Sequence, residues 1–187
     1  MALTTLDPNT ALIVVDLQKG IVALPLVHSI DGVIRQARAL ALAFRERELP
    51  VVLVNVAGGA PGRTEQPRVT IPRQEGWTDL IPELDRQSGD ILVTKQTWGA
   101  FASTDLEAQL KARGVTQVVI AGVATATGVE ATARQAYEHG FNVTLATDAM
   151  TDRRPEAHDY SIQNVFPRLG ETGTTRQIID LLPARSA

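Results

Sequence analysis

Five short runs of apolar, mostly β-branched residues recur along the chain. Within each run the apolar positions are nearly continuous rather than alternating, which is typical of central strands covered on both faces. The runs are ALIVVDL (11–17), PVVLVNV (50–56), DILVTK (90–95), QVVIAGV (117–123) and NVTLATD (142–148). The pattern therefore predicts five buried strands.

The segments between these runs carry apolar residues at helical spacing. The stripe in 32–48 comprises Val33, Ile34, Ala37, Leu40, Ala41 and Phe44, and the stripe in 128–139 comprises Val129, Ala133, Ala136 and Tyr137. Further helices are predicted over 104–113, 155–168 and 174–182, with a short sixth strand near 170–173. Such alternation predicts an α/β fold with a parallel sheet covered by helices on both faces, in a single domain spanning 1–187.

The segment 57–76, AGGAPGRTEQPRVTIPRQEG, interrupts this alternation of strands and helices. It is rich in proline and glycine, and its apolar residues have neither helical nor strand periodicity. A loop of this length inside a compact domain is usually functional or mobile. It follows the second strand, so we expect it above the carboxyl ends of the strands, where open α/β sheets bind ligands. Arg63, Arg68 and Arg73 could meet an anionic substrate there; the alternative is a solvated surface loop.

Composition removes several classes of function. The 187 residues carry a formal charge of −3 and no basic run, which argues against nucleic acid or an anionic membrane as a partner. Cysteine is absent, which removes disulfides, thiolate metal ligands and thiol nucleophiles. The N-terminus lacks a signal-peptide pattern, and the apolar runs are too short to span a bilayer. We therefore expect a soluble, cytoplasmic protein that acts on a small molecule.

Polar residues stand where three of the predicted strands end. They are Asp16, Lys95 and the turn 124–128. Because the carboxyl ends of parallel strands lie at one edge of the sheet, a carboxylate, an ammonium and a helix N-terminus are expected to meet there. The free N–H groups of the helix that begins at Gly128 suit an oxyanion or a carboxylate. Each residue alone is more often a cap or a solvated side chain, and it is their joint placement that favours an active site.

The other candidate residues leave alternatives open. Trp98 and Phe101 could line an apolar pocket or pack in the core, and Trp77 could belong to a pocket or an interface. Asp148, at the end of the fifth run, is expected to brace the following turn. The three histidines, His28, His139 and His158, have no metal-ligand spacing, so we expect neither a metal nor another cofactor.

The chain resembles the isochorismatase-like hydrolases, a family that also contains nicotinamidases and N-carbamoyl amidases. The similarity runs through TALIVVDLQKG (10–20), TKQTWGAFASTDLEAQLKARG (94–114) and VVIAGVATATGVEATARQAYEHGFNVTLATDAMTD (118–152). It implies a three-layer α-β-α, Rossmann-like fold whose six-stranded parallel sheet has the order 3-2-1-4-5-6. It also implies assembly into a homo-oligomer, a dimer or a tetramer.

The resemblance implies roles for individual residues. The family's catalytic Asp falls on Asp16, its Lys on Lys95, and the nucleophilic Cys of the amidase branch on Gly128. A cis peptide bond between Val123 and Ala124 is implied, with Ala124 and Thr125 at the substrate.

Glycine at position 128 closes the thioester route of the amidases. The isochorismatase branch also has Gly there, and the resemblance implies that its protonated Asp donates a proton to a vinyl ether carbon before water attacks the oxocarbenium ion. Burial would keep the proton on Asp16 near neutral pH, whereas Lys95 would favour the carboxylate, so acid and base roles both remain open. The hydroxyls of Thr125 and Thr127 are a weaker nucleophilic alternative that would need a general base.

Two departures from the family pattern concern the substrate. The stretch KQTWGAF has Thr97 and Trp98 where isochorismatases have Arg and Tyr, so an arginine clamp on a substrate carboxylate is lost. The metal-binding Asp and His of nicotinamidases have no counterpart in VNVAGGAPGRT. The sequence thus predicts a cysteine-independent hydrolase of a small anionic metabolite. The alternative is a catalytically inactive small-molecule-binding or scaffold member of the same fold.

Overall fold

A computed structural model describes residues 3–65 and 74–183 of the chain. The strands are β1 (Thr10–Val15), β2 (Val51–Val56), β3 (Ile91–Lys95), β4 (Gln117–Val123), β5 (Asn142–Thr151) and β6 (Glu171–Gly173). The α-helices are α1 (Lys19–Val22), α2 (Ile30–Glu46), α3 (Leu106–Ala112), α4 (Glu130–Glu138), α5 (Pro155–Tyr160) and α6 (Thr175–Leu181). Short 3-10 segments lie at Pro82–Leu84 and Phe166–Arg168, and π-helical turns at Thr125–Val129 and Ser161–Val165.

All six strands are parallel and follow the order β3-β2-β1-β4-β5-β6, which confirms the predicted sheet. Consecutive residues of the fully buried β1 point to opposite faces. Ile13 and Val15 pack in the layer of α3 and α4, and Leu12 and Val14 in the layer of α2 and α6. The three-layer α-β-α architecture therefore follows from two apolar clusters, one on each side of the sheet.

Helix α2 carries the stripe predicted over 32–48. Its buried residues are Val33, Ala37, Leu40, Ala41, Ala43 and Phe44. Across residues 3–65 and 74–183, no helix has the length and apolar character needed to cross a membrane.

Strand β3 departs from the prediction because it lies at the edge of the sheet. Ile91, Val93 and Lys95 are buried, whereas Leu92 and Thr94 are exposed. Only one face of this strand is covered, so the expectation of burial on both faces is wrong here. The buried face nevertheless sends Lys95 towards the interior at the carboxyl end of the strand.

Strand β5 continues to Thr151, beyond the end predicted at Asp148. Asp148 thus lies inside the strand, and its Oδ1 accepts hydrogen bonds from the backbone N–H (2.7 Å) and the hydroxyl (2.9 Å) of Thr175. The bracing role is confirmed, because Thr175 is the first residue of α6. The residue that follows the carboxyl end of β5 is instead Asp152.

Candidate active site

Asp16 and Lys95 meet at the carboxyl edge of the sheet. Asp16 directly follows β1, adopts a left-handed conformation (φ +52°), and donates its backbone N–H to Val54 O at 2.9 Å. Lys95 ends β3, and its Nζ donates to Asp16 Oδ2 at 2.7 Å and to Thr97 O at 3.2 Å. The two side chains are only 7% and 1% exposed. The predicted proximity of these two residues is confirmed.

The environment of Asp16 favours proton binding. Burial raises the pKa of its carboxyl from 3.8 to about 6, against the opposing charge and hydrogen bond of Lys95. Within the described residues, its second oxygen, Oδ1, is buried and has no hydrogen-bond partner. A buried acceptor of this kind is costly unless a ligand or a proton satisfies it. Asp16 therefore has one oxygen held by Lys95 and a second, buried oxygen to which no described residue donates.

The turn after β4 lies beside this pair. Gly122 has φ +118°, a conformation that favours glycine, and a Cβ there would collide with the Val15 backbone. The peptide bond between Val123 and Ala124 is cis, as the resemblance implies. Ala124 O accepts the N–H groups of Thr127 (3.0 Å) and Val129 (3.1 Å). Because those two donors are engaged, neither is free to bind an anion in the cavity.

Gly128 provides space for the Asp16 carboxylate. A Cβ at this position would lie 3.1 Å from Val15 Cγ1, 3.2 Å from Asp16 Oδ2 and 3.3 Å from Val123 O. These separations are shorter than ordinary van der Waals contacts. A side chain at position 128 would therefore crowd the Asp16 carboxylate.

A cavity of about 310 Å³ opens above these residues. Asp16, Lys95 and Gly128 lie in its wall, together with Ala124 and Trp98. The apolar part of the wall comprises Ile21, Leu24, Leu26, Val56 and Val123. Five of the residues predicted for the site thus line one cavity.

Two predicted substrate contacts are corrected. Thr125 is fully buried beneath the turn, where its hydroxyl hydrogen-bonds His158 Nδ1 at 2.8 Å, and it does not line the cavity. Phe101 is 5% exposed and packs against His139 and Phe141, at ring-centroid distances of 5.4 and 6.0 Å. Both side chains point into the protein interior, so core packing is their role.

Of the three arginines predicted to meet the substrate from the segment 57–76, the structure describes one. Arg63 is exposed and is not among the residues that line this cavity, so its contact with a substrate stays a prediction. Arg68 and Arg73 lie outside the described residues. Trp77 is half-buried, and its indole fills the space beside Gly20 at the start of α1.

Residues after β5 complete the site and were not predicted. Asp152 is 5% exposed, and its carboxylate accepts the N–H groups of Ala126 (2.8 Å), Arg153 (2.7 Å) and Arg154 (3.2 Å). It thereby ties the β4 turn to the segment that carries two arginines, and Arg153 lines the cavity. Placing the end of β5 at 151 would have identified these residues by the same strand-end argument that identified Asp16 and Lys95.

The histidines lie away from Asp16. His28 is exposed and its Nδ1 is 3.0 Å from Thr151 Oγ1, while His139 caps the C-terminus of α4. His158 lies in α5, where burial and the nearby His28 lower its pKa. Over the described ranges, no cluster of three or more His, Asp or Glu side chains could hold a metal ion.

Comparison with known proteins gives one consistent family. Residues 10–177 match the model of the isochorismatase domain. The uncharacterized isochorismatase family protein YwoC of Bacillus subtilis is 39% identical, over 92% of this chain and 93% of its own length. The corresponding protein YecD of Escherichia coli O157:H7 is also 39% identical, over 93% and 96%. A solved isochorismatase family protein from Burkholderia thailandensis superposes with a TM-score of 0.91 at 39% identity, covering 95% of this chain and 97% of that one.

Proposed function

Because the chain belongs to the isochorismatase family, we propose that it is a hydrolase in which Asp16 is the acid–base group and no cysteine is needed. One observation carries this proposal. Asp16 Oδ1 is a buried oxygen without a hydrogen-bond partner among the described residues, on a carboxyl whose pKa is raised to about 6, and Asp16 lies in the wall of a cavity. A proton donor works best when its pKa lies near the working pH. Asp16 meets this condition through burial.

The proposed reaction is hydrolysis of a vinyl ether or a similar bond. Asp16 donates its proton to the terminal vinyl carbon, which leaves an oxocarbenium ion; water then adds, and the hemiketal collapses to a ketone and an alcohol. The proton lost by the added water returns to Asp16, so the cycle is balanced. Lys95, already bonded to Oδ2, stabilises the carboxylate that forms when the proton leaves.

The proposed substrate is a small anion. Lys95 is neutralised by Asp16, which leaves Arg153 as the charged donor in the cavity wall without an ion-pair partner among the described residues. Its guanidinium can bind a carboxylate in a bidentate manner. This arginine would supply, from the β5–α5 connection, the clamp that is missing at Thr97.

A second candidate is a binding or scaffold protein that has lost catalysis. Its support is the combination of Gly128 in the position of the amidase nucleophile and Thr97 in the position of the isochorismatase arginine. A protein of this kind would bind the same anions without turnover.

Release of pyruvate from isochorismate, followed by a screen of other enol ethers and anionic metabolites, separates the two candidates. With the substrate that is hydrolysed, Asp16→Asn should keep KM nearly unchanged and lower kcat by roughly 10²- to 10⁴-fold, the usual effect of removing a positioned proton donor. Turnover by Asp16→Asn at the wild-type rate would refute the acid–base role. Binding of an anion by both forms, with hydrolysis by neither, would support the scaffold.

A further inference from the structure

A second and larger cavity adjoins the one that holds Asp16. Its volume is about 1020 Å³, against about 310 Å³ for the inner cavity. The two share Trp98, Ala124, Thr127 and Arg153 in their walls, so they lie side by side. Ligand sites usually occupy roughly 300–1,000 Å³, and the inner cavity alone lies at the bottom of that range. The space available is larger than a substrate confined to Asp16 and Lys95 would need.

Two guanidinium groups face the outer cavity. Arg153 and Arg154 are exposed, both lie in its wall, and within the described part of the chain neither side chain has an ion pair. The nearest carboxylate in sequence, Asp152, is already occupied by three backbone N–H groups. Glu65 is the other acidic residue in this wall and is itself exposed. The arginine donors are therefore open to an external anion.

A large aromatic surface stands between the two cavities. Trp98 is 69% exposed, although indole side chains are mostly buried in folded proteins. It lines both cavities and presents its ring at their junction. A flat group can stack on such a ring, and a neighbouring guanidinium can bind an anionic substituent of that group. Apolar stacking and anion binding are thus available at the same place.

We propose that the outer cavity binds a flat, negatively charged group, stacked on Trp98 and held by Arg153 and Arg154. Together with the proposed function of the inner cavity, on which this extension rests, it identifies the substrate as a two-part molecule. One end carries the hydrolysable bond at Asp16, and the other is an aromatic or otherwise planar anion.

Binding of naphthalene-2-sulfonate to the full chain, measured by isothermal titration calorimetry, tests the outer cavity without turnover. The comparison ligands are methanesulfonate, which has the charge alone, and 2-naphthalenemethanol, which has the ring alone. We expect naphthalene-2-sulfonate to bind at least about tenfold more tightly than either. The double variant Arg153→Gln/Arg154→Gln should lose roughly tenfold in affinity, and Trp98→Ala roughly threefold to tenfold.

Two variants serve as controls. Arg86→Gln/Arg113→Gln also removes two charges, from the segments that precede β3 and β4 at the opposite edge of the sheet, and should leave the affinity unchanged. Arg168→Gln, which removes an exposed charge from the 3-10 segment Phe166–Arg168, should also leave it unchanged, because this segment is not in the wall of either cavity. Arginine-dependent binding in a protein that hydrolyses nothing would therefore retain this inference while refuting the proposed function.

Three results would overturn the inference. The first is no binding of naphthalene-2-sulfonate, and the second is equal affinity in the double arginine variant. The third is an unchanged affinity in Trp98→Ala together with dissociation of an oligomer in sedimentation velocity, which would mean that Trp98 is exposed to meet a second copy of the chain.

Discussion

Strand β3 has a buried ion pair at each of its ends, and the two pairs are built differently. At the amino end, Arg45 contacts both oxygens of Asp90, with Nε–Oδ1 at 3.0 Å and Nη2–Oδ2 at 2.7 Å. Asp90 Oδ2 also accepts the N–H of Gln87 at 2.8 Å. At the carboxyl end, Lys95 contacts one oxygen of Asp16 and leaves the other without a partner in the described structure.

The two pairs differ in which partner has a buried atom without a hydrogen bond. In the amino-end pair this partner is the base, since Arg45 Nη1 has no hydrogen-bond partner among the described residues. A guanidinium cannot release its proton near neutral pH, so that pair has no acid–base chemistry. In the carboxyl-end pair this partner is the acid, Asp16, and burial raises the pKa of its carboxyl to about 6. Burial of an ion pair therefore does not identify a catalytic site. The proposed role of Asp16 rests instead on the oxygen without a described partner, on the raised pKa of the carboxyl and on the neighbouring cavity.

Removing the acid from each pair should give the largest and most contrasting effects. Asp90→Asn leaves Arg45, which is 15% exposed, without its counter-charge and should lower the free energy of unfolding by about 3 kcal/mol or more. Its kcat should equal that of the wild type. Asp16→Asn should lose kcat, and its stability at pH 7 should not fall, because the raised pKa means that ionisation of Asp16 costs folding free energy that a neutral amide does not cost. Urea unfolding measures the stabilities, and wild-type stability in Asp90→Asn would contradict the structural role.

The pH dependence of stability should come from Asp16. Because burial raises its pKa from 3.8 to about 6, the folded chain holds more protons than the unfolded chain between these values, and stability falls as the pH rises through that window. A pKa difference of this size corresponds to about 2–3 kcal/mol. The unfolding free energy of the wild type minus that of Asp16→Asn should decrease by this amount from pH 4 to pH 7. A constant difference would show that the pKa is not raised.

The same titration should appear in turnover. If Asp16 is the general acid, kcat/KM falls tenfold for each pH unit above about 6; if it is a general base, the fall lies below about 6. The pH profile thus decides between the two roles that the sequence left open.

The sequence predicts the position of a residue where that position follows from the periodicity of a strand or a helix. Apolar runs predict the strands, and the common edge of parallel strands places Asp16 and Lys95 together. The same argument missed Arg153, because the last residues of β5, TDAMT, mix polar and apolar positions and concealed the true end of the strand.

The spacing of residues along the sequence does not predict where a side chain points inside a turn or a loop. Thr125 points inward because a π-helical turn directs it to His158, a partner thirty-three positions away in sequence. Phe101 packs on Phe141 in the same manner, from a loop without regular period. The pKa of Asp16 depends on burial by several elements at once, and only the structure combines them.

A smaller effect is expected from filling the space beside Asp16. Gly128→Ala would place a methyl group 3.2 Å from Asp16 Oδ2 and 3.1 Å from Val15 Cγ1. Crowding of this kind costs about 1–2 kcal/mol, partly offset by the better helix propensity of alanine. Displacing the carboxylate should also lower kcat by roughly tenfold, since small misplacements reduce rates strongly. Gly89→Ala is the matched control at the other end of β3, where an added Cβ meets nothing within 4 Å, and it should change neither stability nor turnover. If Gly128→Ala retains wild-type kcat, then Asp16 does not need the space that Gly128 leaves, and the position tolerates a side chain.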